Sequence, residues 1–306
     1  MIERVAIVGA GAVGGSLVAM MMDAGRAVTV LADGPRADRL RRDGLVVNGT
    51  RYAVDVDDAQ GAPGDAGAYD LVLVATKSTQ LEAALPLIAR AAGSRGLVLS
   101  LLNGISSERI IAEAGVEGRV VPAMILGIDA MKDGEAITYL NRGTIYFGSD
   151  DRHAPVAPAD LERVKATFDA SDIPCTIVPD IVRTLWWKFM INVGINQASA
   201  VLRAPYGLFQ RSDYARDLMV DAMREVLELS KIEKTGLGEG DIDAWLDTLR
   251  GLNPEGKTSM VQDVEAGRAT EVDLFAGTVL EIAARHGMDV PVNRTLYRII
   301  RAGEGR

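Results

Sequence analysis

The chain is poor in the residues that build disulfides and metal centres. Among its 306 residues there is one cysteine, Cys175, and only two histidines, His153 and His286. A single cysteine excludes an intrachain disulfide framework and any CxxC motif. Two histidines so far apart lack ligand spacing, so no metal site is expected. Cys175 reads as a small buried apolar residue. Positive charge is also in deficit, with 33 Lys and Arg against 42 Asp and Glu, a net charge of −9. That balance argues against a nucleic-acid surface and against an anionic membrane surface, though not against a local basic pocket. No run approaches the roughly 20 apolar residues that span a bilayer. The opening MIERVAIVGAG passes from a short apolar run straight into a glycine-rich turn, without an h-region or a cleavage site. A cytoplasmic location is therefore expected. There is no internal repeat and no low-complexity segment.

What is present is ordinary globular composition, 48% apolar and 25% charged, in a length that suits two domains. The first part alternates short apolar runs with helical patterns. Strands are expected at Arg4 to Val8, Ala27 to Leu31, Leu71 to Ala75 and Leu97 to Leu102. Helices are expected at Gly14 to Ala24, Arg36 to Asp43, Thr79 to Ala92 and Ala159 to Ala170. Uniformly apolar strands in a βαβα rhythm imply a parallel sheet covered on both faces. Leu45 to Val47 and Tyr52 to Val56 flank NGT and suggest a hairpin. Val120 to Phe147 reads as mixed or antiparallel strands, and Cys175 to Val178 as a last strand. The glycine-rich stretch 61–70 reads as the most flexible interior loop, and AGEGR at the end as a frayed tail.

After Pro179 and Asp180 strand patterns vanish. Helical patterns follow at Ile181 to Ala200, Tyr214 to Ser230, Ile242 to Arg250, Ser259 to Ala266, Glu271 to His286 and Arg294 to Arg301. Thr270 with Asp273 resembles an N-capping arrangement, and Gly287 a C-terminal glycine stop. The expectation is an α/β chain with a Rossmann-type NAD(P)-binding domain over 1–180. An all-helical domain for substrate and dimerisation would span 181–306.

VAIVGAGAVGG places Gly9, Gly11 and Gly14 in GxGxxG spacing, after an expected strand and at the start of an expected helix. In that context Gly9 serves the tight turn, Gly11 lets the backbone approach a pyrophosphate, and Gly14 lets helix and strand pack closely. Asp33 lies 19 positions after Gly14. That is near the offset at which an acid binds the ribose diol of NAD and would repel the 2′-phosphate of NADP. Arg36 and Arg39 follow and offer that phosphate a partner, or are solvated helix charges. Lys77 and Asn103 end two further strands, where a doubly wound sheet binds its ligand. Lys77 reads as a cofactor contact or a surface lysine. Asn103, followed by Gly104, reads as a contact to the nicotinamide end or a helix cap.

LWWKFMINVGIN, residues 185–196, sets Lys188, Asn192 and Asn196 at i, i+4 and i+8 on an otherwise apolar helix. Such spacing lines up an amine and two amides on one helical face. Following a dinucleotide domain, a polar row of this kind suits a substrate site in a cleft, facing the nicotinamide. The bland alternative is a snorkelling lysine with two satisfied core amides.

Taken together, GAGAVGG, Lys77, the Asn103-Gly104 pair, LWWKFMINVGIN and TSMVQDVEAGRATEVD resemble the ketopantoate reductases (2-dehydropantoate 2-reductases) over nearly the whole chain. The resemblance implies NAD(P)H-dependent reduction of a 2-oxo acid to a 2-hydroxy acid, most simply 2-dehydropantoate to pantoate in pantothenate synthesis. It implies Lys188 as general acid, Glu271 as the acid near it, and Asn192 and Asn196 as lining of the substrate site. Ser259 would bind the substrate carboxylate. Its default cofactor is NADP. Four positions depart from the pattern: Asp33 for a phosphate-binding arginine, Gln197 for proline, Arg203 for asparagine and Gly256 for asparagine. Asp33 argues for NAD, and Arg203 is open to binding a second carboxylate or turning to solvent. The expected partners are a small 2-oxo acid and a second copy of the chain as a homodimer, with no nucleic acid and no membrane. Competing readings are a paralogous reductase of another oxo acid and a non-catalytic dinucleotide-binding redox sensor.

Overall fold

A computed structural model describes residues 2–58, 69–116, 119–151 and 155–304. Most of the loop expected at 61–70, His153 and the last two residues of the tail lie outside them. The chain divides into two compact units, Met1–Ile181 and Val182–Arg306.

The first unit runs β1 (Val5–Val8), α1 (Ala12–Asp23), β2 (Thr29–Leu31), α2 (Gly34–Asp43), β3 (Leu45–Val47), β4 (Thr50–Tyr52), β5 (Asp55–Asp57) and β6 (Leu71–Val74). It continues through a 3₁₀ turn (Ser78–Gln80), α3 (Leu81–Ala92), β7 (Leu97–Ser100), α4 (Ser107–Glu113), β8 (Arg119–Val121) and β9 (Ala123–Ile128). β10 (Met131–Asp133), β11 (Ala136–Thr138), β12 (Arg142–Phe147), α5 (Pro158–Asp169) and β13 (Cys175–Ile177) complete it. Six strands form one parallel sheet in the order β5-β2-β1-β6-β7-β8. Counted along the chain that is third, second, first, fourth, fifth, sixth, the dinucleotide-binding order with its switch point between β1 and β6.

The side-chain period of two divides each central strand between two cores. Val5, Ile7, Leu71, Leu73, Leu97 and Leu99 join one apolar cluster. Ala6, Val8, Val72, Val74 and Val98 join the other. A strand buried on both faces must be apolar throughout, which is why these runs show no polar alternation.

Three details differ from the sequence expectation. The run read as one strand over 52–56 is two elements. Thr50–Tyr52 closes an antiparallel hairpin with β3, and Asp55–Asp57 is the parallel edge of the main sheet. The hairpin turn is Asn48-Gly49, both at positive φ (48° and 80°), the backbone a two-residue type I′ turn requires. Second, β8 belongs to the parallel sheet, while β9 and β12 pair antiparallel in a separate sheet with β13. Third, α4 is too short for its periodicity to stand out in the sequence.

The second unit is helical: α6 (Ile181–Ile191, its first residue in the first unit), a π turn (Asn192–Asn196), α7 (Gln197–Leu202), α8 (Tyr206–Arg211), α9 (Asp213–Glu233) and α10 (Glu239–Gly251). α11 (Ser259–Glu265), a second π turn (Asp273–Gly277), α12 (Thr278–His286) and α13 (Pro291–Glu304) follow. The helix expected to run unbroken from Ile181 to Ala200 is thus interrupted, as is the one from Glu271. Thr270 Oγ1 accepts the Val272 N–H at 3.3 Å, while its own N–H and hydroxyl donate to Glu304 Oε1 at 2.8 and 2.6 Å. Gly287 stops α12 in the left-handed conformation. Among the described residues no helix is long and apolar enough to cross a membrane.

Candidate active site

The three glycines of the first turn meet three different surroundings. Gly9 has φ +96°, and a Cβ there would lie 2.6 Å from the Thr76 nitrogen and 2.7 Å from the Ala75 carbonyl. At Gly14 a Cβ would lie 2.0 Å from the Gly9 carbonyl oxygen and 3.2 Å from Ala75 Cβ, so α1 packs directly on the strand ends. At Gly11 a Cβ would meet nothing within 4 Å. That open side faces the start of a 12-residue helix whose N-cap is Gly11 itself, with no side chain to accept its first N–H groups. Unclaimed donors, the positive end of the helix dipole and room against the backbone fit a pyrophosphate.

The other first-unit candidates follow the same carboxyl ends. Asp33 follows β2 as the N-cap of α2, exposed and making no side-chain hydrogen bond among the described residues. Arg36, one turn on, is half-buried. Burial and the neighbouring Arg39 lower its pKa from the ordinary arginine value, and Glu135 opposes them. Arg39 pairs with Glu135 at 3.5 Å. Lys77, beyond β6, is exposed, and Asn103, beyond β7, is half-buried beside Gly104 at φ +87°. Thr76 was not singled out in the sequence. Its hydroxyl is buried beside Gly9 with no partner among the described residues, and its only sequence signal is a place between a strand end and Lys77.

In the second unit Lys188 is 9% exposed and Asn196 7%, with Asn192 half-buried between them. An α-helix overshoots by about 40° at each i+4 step. The π turn from Asn192 to Asn196 winds more slowly, so it turns Asn196 back toward the line of Lys188. π turns cluster at functional sites, and the second one, Asp273–Gly277, begins two residues after Glu271 and packs on the first. Gly194 allows the first to approach α9: a Cβ there would lie 2.4 Å from Met223 Cγ and 3.0 Å from the Met219 carbonyl.

Ser259 is exposed as the first residue of α11. Its buried neighbour Thr258 caps that helix, accepting from Val261 N–H at 3.3 Å. The Ser199 hydroxyl donates to the Asn196 carbonyl at 3.1 Å and shares a 2.8 Å bond with Thr258 Oγ1. Since Ser199 has one proton, Thr258 donates to it, and a directed chain runs from α11 to Asn196. Arg203 is exposed at φ +47°. Asparagine adopts that left-handed backbone more readily than arginine. The space beside Gly256 is taken by the Tyr206 ring, 3.0 Å from where a Cβ would stand. Gln197 is fully buried, bonded to Val193 and Asn293, with no partner for its Oε1 among the described residues. Among the described residues no group of three His, Cys, Asp or Glu side chains could hold a metal. His286 instead pairs with Glu233 at 2.7 Å.

A sheet in dinucleotide order, opened by a glycine turn that leaves room for phosphate, defines a dinucleotide-binding class. Comparison with known proteins narrows the class. The family model described as "Ketopantoate reductase PanE/ApbA" matches residues 5–152, and "Ketopantoate reductase PanE/ApbA C terminal" matches 180–304. A 2-dehydropantoate 2-reductase of Pyrococcus horikoshii is 26% identical over 302 residues, covering 98% of this chain and 97% of that protein. The crystal structure of a PanE/ApbA family ketopantoate reductase from Ralstonia eutropha JMP134 superposes with a TM-score of 0.82 at 26% identity, over 99% of this chain and 98% of that one. A D-mandelate dehydrogenase solved with NADH and anilino(oxo)acetate gives a TM-score of 0.86 at 21% identity, over 99% and 98%. The chain belongs to the ketopantoate reductase family.

Proposed function

We propose that the chain reduces a 2-oxo acid to the 2-hydroxy acid, with 2-dehydropantoate as first substrate and pantoate as product. The observation that carries this reading is Lys188: an ammonium 9% exposed, on a helix whose next turns hold Asn192 and Asn196. Lysine is among the residues least often fully buried, and a site for a developing oxyanion gives it a reason to be there. The nicotinamide cofactor, when bound, supplies the hydride that C2 receives. Lys188 stabilises the charge that builds on the carbonyl oxygen and then donates its proton to it. Glu271 keeps the ammonium oriented and protonated. Asn192 and Asn196 bind the carbonyl and a neighbouring hydroxyl without adding charge, and Ser259 binds the carboxylate. Arg203 is available to a second carboxylate.

On the cofactor side Gly9 and Gly14 shape the turn and Gly11 admits the pyrophosphate to its backbone, with Lys77 and Asn103 as further contacts. Asp33, exposed and with no side-chain hydrogen bond among the described residues, can accept both ribose hydroxyls. Arg36, its pKa lowered by burial, would gain from a phosphate. The likeness to a dehydrogenase solved with NADH adds weight to Asp33. The reading is that NADH serves at least comparably to NADPH.

The reading includes a cytoplasmic setting and a homodimer. Leu202, Tyr214 and Ile299 are apolar side chains the helical unit leaves exposed, Tyr214 at 90%. Sedimentation showing a monomer at micromolar concentration removes the dimer. The deciding experiment is oxidation of NADH and of NADPH against a panel of 2-oxo acids, branched, aliphatic and aromatic. Turnover of 2-dehydropantoate well above the rest supports the first substrate. A preference for another acid makes the chain a paralogous reductase, and cofactor binding without turnover makes it a sensor.

A further inference from the structure

The π turn Asn192–Asn196 is a local departure from α bonding and needs a reason to persist. At its exit a backbone N–H goes to the Gly194 carbonyl. The Val193 carbonyl accepts from Gln197 Nε2 at 2.7 Å. A proline at 197 would open the turn by clashing with the carbonyl four residues back, which is Val193. Here a side-chain donor serves that carbonyl. The same Nε2 donates to Asn293 Oδ1 at 3.0 Å. Asn293, at the start of α13, donates through Nδ2 to the Ala222 carbonyl at 3.1 Å and to Glu225 Oε2 at 2.8 Å, both on α9. Glu225 also accepts the backbone N–H groups of Val292 and Asn293 at 2.7 and 2.9 Å. Both amide orientations are set by this network, because each nitrogen faces only acceptors. Gln197 and Asn293 are fully buried.

We propose that Gln197 is a positioning residue: with Asn293 and Glu225 it pins the π turn to α9 and α13, and so sets where Asn192 and Asn196 point. The inference rests on the substrate-binding reading of those two asparagines. Gln197 itself touches no reacting atom. Its neighbours explain why the hold acts on geometry. Gly194 brings the turn against the Met219 carbonyl, and Ser199 fixes the Asn196 carbonyl from the other side. Without the Gln197 donor the Val193 carbonyl loses its buried side-chain partner, and the turn is released to wind back toward α geometry. That rewinding rotates Asn196 away from Lys188.

The test is Gln197→Met, which keeps volume and helix propensity but removes the donor. The expected result is a drop of about tenfold or more in kcat/KM for the best 2-oxo acid, most of it in KM. The Kd for the cofactor should stay within about twofold. In an Asn196→Ala background the same substitution should change kcat/KM by less than about threefold, since both act through one group. A lower Tm with unchanged kcat and KM, or effects of the two substitutions that multiply, overturns the proposal. If Gln197→Met does not fold, Glu225→Gln takes its place, with a smaller change of the same KM-dominated kind expected and an unchanged KM overturning it. Asn196→Ala at wild-type activity would remove the underlying reading, and this proposal with it. An impaired Asn196→Ala beside a fully active Gln197→Met removes only the proposal.

Discussion

Replacing Gly11 and Gly14 by alanine, one at a time, separates what holds the first unit together from what the unit holds. At Gly14 the added methyl would stand 2.0 Å from the Gly9 carbonyl oxygen, where ordinary contact begins at 3.4 Å. Neither neighbour is a flexible side-chain end, so α1 must lift from the strand ends. Overpacking of this kind costs about 1–3 kcal/mol. In a unit of this size each kcal/mol lowers Tm by about 2–4 °C, so Gly14→Ala should melt about 2–12 °C below wild type. At Gly11 the methyl meets nothing within 4 Å, and the backbone (φ −84°, ψ −155°) is extended. Alanine is a poorer N-cap than glycine, but it stiffens the unfolded chain. The net change in stability should be under about 1 kcal/mol. The same methyl occupies the space a pyrophosphate needs to reach the backbone. Losing one charge-assisted hydrogen bond there is worth about 1.5–3 kcal/mol, or about 10- to 150-fold in Kd. Thermal melts of the apo protein and titration with NADH and NADPH read the two effects. Gly11→Ala binding both cofactors within threefold of wild type, or Gly14→Ala melting with wild type, refutes the reasoning.

Lys188→Ala should lower kcat about 10²–10⁴-fold with cofactor Kd nearly unchanged, as expected for loss of a general acid; wild-type kcat on the best substrate rules out the role. Wild type should use NADH at least comparably to NADPH, and Asp33→Arg should move the ratio of kcat/KM values toward NADPH at one fixed salt concentration. A hundredfold NADPH preference in wild type, or an indifferent variant, transfers the choice to Arg36. Ser259→Ala should raise KM for 2-oxo acids but not for a neutral ketone of similar size, and equal effects on both remove its carboxylate contact.

Much of the first unit is legible in one dimension because its elements are locally determined. Val5–Val8, Leu71–Val74 and the Leu97 to Leu99 part of β7 are buried on both faces, so each had to be a continuous apolar run. Asn48-Gly49 marks a hairpin through its own backbone preference. Where Tyr52–Val56 should divide between two sheets was not legible, since partner choice depends on β2, more than 20 residues earlier. Of the site, the GxGxxG turn and the Lys188, Asn192, Asn196 row stand in the sequence as spacing. Thr76 and Thr258 do not, because their signal is an unpartnered or shared hydroxyl visible only after packing.

The residues alone determined the α/β-then-helical order, the glycine turn and the family, because each is written in short-range spacing. Tertiary structure decided the course of the helix that carries Lys188. Sequence periodicity from Ile181 to Ala200 reads as unbroken α-helix, and nothing local to Asn192–Asn196 demands a π turn. The turn is held by Met219 and Met223 against Gly194, and by Asn293 on Gln197, 96 residues away. Only the folded core brings those partners together, and a helix departs from its local bonding where such distant groups take over the bonds it gives up.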